Sequence, residues 1–87
     1  MKVKEITVTL YGDASNNAVI SMPGRRFPGV LVQGDTLKNL LDSSEVVLKF
    51  AKQIGNEGLR DEAIFLYDSL SDMYEWYRRD AGELVDE

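Results

Sequence analysis

An α+β fold of order βββαα is what this sequence predicts: a three-stranded antiparallel β-meander followed by two antiparallel helices packed on one sheet face. Three observations carry it. Ile6, Val8 and Leu10 alternate with Thr7, Thr9 and Tyr11, the two-residue period of a half-buried strand. Pro23-Gly24 and Pro28-Gly29 then punctuate two further short runs rich in β-branched residues. From Leu37 onward apolar residues recur at spacings of three and four, interrupted once, at Gly55.

The first strand is expected over about residues 4–11, and Gly12-Asp13-Ala14-Ser15-Asn16-Asn17 is a polar turn. A second strand over about 18–22 ends at Pro23, which has no N–H for a ladder, and Gly24, which tolerates positive φ. The third is expected over about 30–33. Gly34-Asp35-Thr36 opens the first helix, with Asp35 as N-cap, and the helix runs over about 36–54. Its stripe is Leu37, Leu40, Leu41, Val47, Leu48, Ala51 and Ile54, and Gly55 followed by Asn56 stops it. The second helix is expected over about 58–82 with a seam of Leu59, Ala63, Leu66, Leu70, Met73 and Tyr77, alternating four and three as in a coiled coil. Residues 83–87 are expected to fray. The whole reads as a single small domain, 1–87, without repeats or low-complexity segments.

Composition narrows the function classes. At 87 residues the core is thin, so a partner readily completes it. Cysteine is absent, which removes disulfides and thiolate metal sites and fits a reducing cytoplasm. Neither a secretory leader nor a membrane-spanning run is expected. Histidine is absent too, so acid–base catalysis would fall to a strongly shifted Glu, Asp, Lys or Tyr. No catalytic constellation is recognisable, no cofactor is expected, and the chain reads as a non-enzyme. A carboxylate metal site from Asp13, Asp35 and Glu5 or Asp42 has no supporting spacing, because Asp13 belongs to a turn and Asp35 to a cap. Net charge is −5, which repels nucleic acid on average and steers basic proteins inward. Direct nucleic-acid binding and membrane association are therefore not expected.

Two groups are candidates for binding. Arg25-Arg26-Phe27 forms the tip between strands two and three. Either the guanidiniums meet a phosphate or carboxylate cluster, or Phe27 folds back as a lid on the core while the arginines solubilise the turn. On the second helix, Phe65 and Trp76 point almost the same way, roughly 130° from the expected seam at ~100° per residue, among Asp61, Asp68, Ser69, Asp72 and Glu75. Apolar anchors in a charged rim make an interface composition. The alternative is that one or both rings pack down on the sheet or the first helix. Tyr67, Tyr74 and Tyr77 flank or join the seam and are assigned to the core.

Met22-Pro23, Phe27-Pro28-Gly29, Val32-Gln33-Gly34-Asp35 and Thr36-Leu37 follow one another in an order and spacing that resembles the N-terminal half of HicB-type antitoxins, over about residues 19–48. The segment Pro23–Gly29 with Gln33-Gly34-Asp35 also resembles a small uncharacterised bacterial protein family. The first resemblance implies the scaffold and the role of an acidic protein that masks a basic toxin. HicB proteins place a fourth strand after the first helix and then a DNA-binding tail, whereas only Gly55 to Gly58 separates the helices here, so operator binding is not carried over. The expected function is a bacterial, cytoplasmic antitoxin or immunity-type protein occluding a cognate toxin. The alternative is a structural or regulatory homo-oligomer, such as a homodimer, pairing through an edge strand or the helical face.

Overall fold

A computed structural model describes residues 3–12 and 17–82. Most of the turn expected at 12–17 and the tail expected to fray at 83–87 lie outside the described residues. Three antiparallel strands in one sheet are followed by two helices, an α+β arrangement. The chain divides into two compact units, Met1–Gln33 and Gly34–Glu87.

The β unit holds β1 (Thr9–Tyr11), β2 (Val19–Ser21) and β3 (Gly29–Val30), in the spatial order β1-β2-β3. Thr9 pairs with Ser21 and Tyr11 with Val19, while Val19 also pairs with Val30. Pro23 and the left-handed Gly24 occupy the middle of a tight turn closed by Arg25 N–H donating to Met22 O at 3.1 Å. Proline first and positive-φ glycine second is the type II arrangement. Leu31 N–H reaches Ala18 O at 2.7 Å and extends the β2–β3 pairing by one bond.

The strands are shorter than the alternation predicts. Residues 4–8 and 31–33 lie outside the strands. For residues 4–8 the reason is the middle strand: β2 ends before Met22 and Pro23, so an extension of β1 in this register has no partner to pair with. Nor is β1 half-buried. Ile6, Val8 and Leu10 are all exposed, and Ala18 is the buried side chain of this unit among the described residues.

The helical unit is an antiparallel hairpin of α1 (Gly34–Ile54) and α2 (Glu57–Ala81). Helix α1 begins two residues earlier than expected. Asp35 is therefore inside the first turn and is not the N-cap: its Oδ1 accepts from the Thr36 N–H at 2.8 Å, where a carboxylate still complements the helix dipole. Gly55 ends α1 at φ 79°. Asn56, expected only as part of that stop, caps α2: its Oδ1 accepts from Leu59 N–H at 2.9 Å. One two-residue turn thus stops one helix and starts the next.

The interhelical seam is made by Leu37, Leu41, Ser44, Leu48 and Ala51 of α1, and by Ala63, Tyr67, Leu70, Tyr74, Tyr77 and Ala81 of α2. Half of the expected seam is displaced. Leu59, Leu66 and Met73 are exposed, as are Leu40, Val47 and Ile54 of α1, while Tyr67 and Tyr74 turn inward. A helix with apolar residues on two adjacent stripes admits two packing frames, and small side chains decide between them. Ser44, Ala51 and Ala63 are nearly inaccessible and let the backbones approach closely, which places their own stripe at the contact. Ser44 is tolerated there because its Oγ donates to Leu41 O at 2.7 Å. Tyr74 and Tyr77 stack tilted, ring centroids 5.9 Å apart.

Candidate functional site

Helix α2 positions the outward-facing candidates. Its regular winding from the Asn56 cap to Gly82, whose N–H bonds Arg78 O at 2.9 Å, puts Phe65 and Trp76 on one side, three turns apart. That is about 16 Å at 1.5 Å per residue. Both rings are exposed, Phe65 at 70% and Trp76 at 57%. They do not fold down onto the hairpin. Ser69, between them, spends its hydroxyl on Phe65 O at 2.8 Å and offers little to a partner.

Asp61, Asp68, Asp72 and Glu75 are exposed on the same outer side of α2. Arg60 lies 3.9 Å from Asp61 and 3.7 Å from Glu57, loose contacts at a solvated surface. Among the described residues Asp68, Asp72 and Glu75 have no ion-pair partner, so their field projects outward. Further along, Arg79 Nε donates to Asp80 at 3.0 Å, and this hydrogen bond holds the Asp80 carboxyl below the ordinary carboxylate range. The acidic stretch therefore ends in a neutralised pair before the helix closes.

Arg25, Arg26 and Phe27 belong to the β unit, whereas the α2 candidates belong to the helical one. Phe27 is not a lid: it is 73% exposed, and the Arg26 guanidinium lies 5.2 Å from its ring centroid. A cation over an aromatic face at a solvated turn is worth about 0.5–1 kcal/mol and orients the arginine. Among the described residues no group of three or more carboxylates is placed to hold a metal ion, and no helix is long and apolar enough to cross a membrane.

One side of the hairpin escaped the sequence reading. Val47 of α1 and Leu59, Ala63, Phe65 and Leu66 of α2, with Glu62 at the edge, line an open apolar groove. The opposite side is more charged, lined by Asp42, Glu45, Val46, Lys49 and Lys52 around Leu48 and Tyr67. The signal that separates the two sides was present as a seven-residue recurrence, but it was merged with the buried seam.

The described residues form a small α+β arrangement with two large aromatic side chains exposed on α2. Residues 3–83 match the family of unknown function DUF6959, and the chain belongs to that family. No curated protein and no solved structure matches it.

Proposed function

We propose that this protein is a non-enzymatic binding module of the antitoxin or immunity type, which occludes a basic protein partner with the outer side of α2. Phe65 and Trp76 act as anchors, and Asp61, Asp68, Asp72 and Glu75 form the acidic rim. The observation that carries this reading is the exposure of both rings beside Asp68, Asp72 and Glu75, which have no ion-pair partner among the described residues. Burying such rings in a partner's pocket is the commonest source of interface energy, and the rim speeds encounter with a basic surface. The HicB-like order of residues 19–48 supports the toxin-masking role, and the net charge of −5 supports the sign of the partner. Arg25, Arg26 and Phe27 are a secondary contact in this reading.

Affinity capture from the native host, followed by binding measurements on the purified partner, tests it. The expected partner is basic, and its association rate falls steeply with added salt. Trp76→Ala and Asp72→Lys each weaken binding about tenfold or more, which corresponds to about 1.4 kcal/mol. Unchanged affinity for every identified partner in both variants sinks the assignment of this surface.

A further inference from the structure

Leu40, Val47 and Ile54 follow one another at intervals of seven in α1, and Leu59, Leu66 and Met73 do so in α2. The two series mirror each other across the Gly55-Asn56 turn. Ile54 and Leu59 flank it, Val47 and Leu66 are the next pair out, and Leu40 and Met73 the last, all three pairs centred on the same point of the chain. The hairpin thereby stacks three apolar layers along one side, and the groove containing Val47, Leu59 and Leu66 is part of it. All six side chains are exposed, at 42–68%.

This stripe lies roughly 60–80° around each helix from the buried seam, at ~100° per residue. Each helix therefore carries two heptad stripes. A helix in a two-helix hairpin has one neighbour and needs one stripe. A helix in a four-helix bundle touches two neighbours and needs two, about a quarter-turn apart.

We infer that the second stripe is the contact surface for a second copy of this chain, and that two hairpins form an antiparallel four-helix bundle. The layers make the surface self-complementary. A two-fold axis parallel to the helices sets each layer on its own copy, with α1 of one chain antiparallel to α2 of the other. The area is also sufficient. Six half-exposed large apolar side chains, with Phe50 and Phe65 at the margins, offer on the order of 700–800 Å² per chain, close to what a standard interface takes from each partner.

The monomer's interior supplies the driving force. Among the described residues its buried apolar side chains are Ala18, Leu37, Ala51 and Ala63, and none of the larger ones is completely enclosed. A chain this small with so little interior is stabilised by oligomerisation. Glu62 and Ser43 interrupt the stripe at its intermediate positions, where polar groups set register in helical bundles. Trp76 and the acidic rim lie further round α2 and Phe65 borders both surfaces, so Trp76→Ala and Asp72→Lys test the proposed function separately from this pairing.

Light scattering of the full chain behind a sizing column tests the inference, together with a short bis-maleimide cross-linker on single-cysteine variants. The native sequence has no cysteine, so each variant reports one position. The expected mass is twice 9.8 kDa, and the melting temperature rises with protein concentration. Leu66→Cys cross-links to its copy at least about tenfold faster than Lys49→Cys on the more charged side, because pairing raises the local concentration. A mass of one chain at all concentrations overturns the inference. So does a dimer in which the two variants cross-link at equal rates, since its interface then lies elsewhere.

Discussion

The ring of Tyr77, near the end of α2, occupies the space that a side chain on Gly34, the first residue of α1, would need. A Cβ built on Gly34 falls against Cζ and Oη of that ring. Gly34 is therefore required by tertiary packing between the two ends of the hairpin and not by its own backbone angles, which are not left-handed. The Gln-Gly-Asp segment owes its glycine to a residue 43 positions away in sequence, Tyr77.

Gly34→Ala should destabilise the protein by about 1–3 kcal/mol, the usual cost of overpacking, despite the roughly 1 kcal/mol by which alanine favours a helix. Gly58→Ala is the matched control. It sits in the first turn of α2, where a Cβ meets only Asn56 Oδ1 at 3.6 Å, and it should stabilise by about 0.5–1 kcal/mol. Urea unfolding of both variants checks the opposite signs.

Asn56→Ala should cost about 1 kcal/mol, because the Leu59 N–H loses its acceptor at the start of α2. Asn56→Asp should retain most of the stability, since a carboxylate serves the same N–H and the helix dipole favours it. Thermal melts followed by circular dichroism separate the two.

Ala63→Leu should destabilise by about 1–3 kcal/mol, because Ala63 is buried in the hairpin seam and a larger side chain would overpack it. Three residues on, Leu66→Ala in dilute protein should cost well under the roughly 2–5 kcal/mol of a buried leucine truncation. Denaturant midpoints at low protein concentration decide whether Ala63 or Leu66 belongs to the seam.

Trp76 is the single tryptophan and is largely exposed. Its fluorescence should be red-shifted and readily quenched by acrylamide in the free protein. A captured basic partner should shift it to the blue and shield it. Full shielding in the free protein would contradict the exposed placement.

Because the Arg79 hydrogen bond lowers the Asp80 pKa, the unfolded chain binds more protons at this residue than the native one at acid pH. The contribution is therefore present at neutral pH and is lost as pH falls through the native value of Asp80. The stability gap between wild type and Asp80→Asn should narrow from pH 7 to pH 3. Both groups are fully exposed, so the gap is small throughout.

Much of the fold was legible because its signals are local. Alternation at Thr9–Tyr11, the Pro23-Gly24 turn and the Gly55 stop each act within a few residues, and the element order follows from them. The frame of the helix pair was not legible. Leu59, Leu66 and Met73 have the same spacing as Ala63, Leu70 and Tyr77, and hydrophobicity alone favours the larger side chains for the interior. Close approach of two backbones favours the smaller ones. Phe65 and Trp76 were found on the outer side because an acidic surround is a strong local sign of solvent.

The sequence by itself determined the order of the elements, their punctuation and the acidic, aromatic outer side of α2, since propensity, turn chemistry and charge are properties of neighbouring residues. Only the tertiary structure decided which of two heptad stripes is buried, why Gly34 has no side chain and that the other stripe remains open. These depend on volumes meeting across the hairpin, between residues tens of positions apart, and no local pattern encodes that fit.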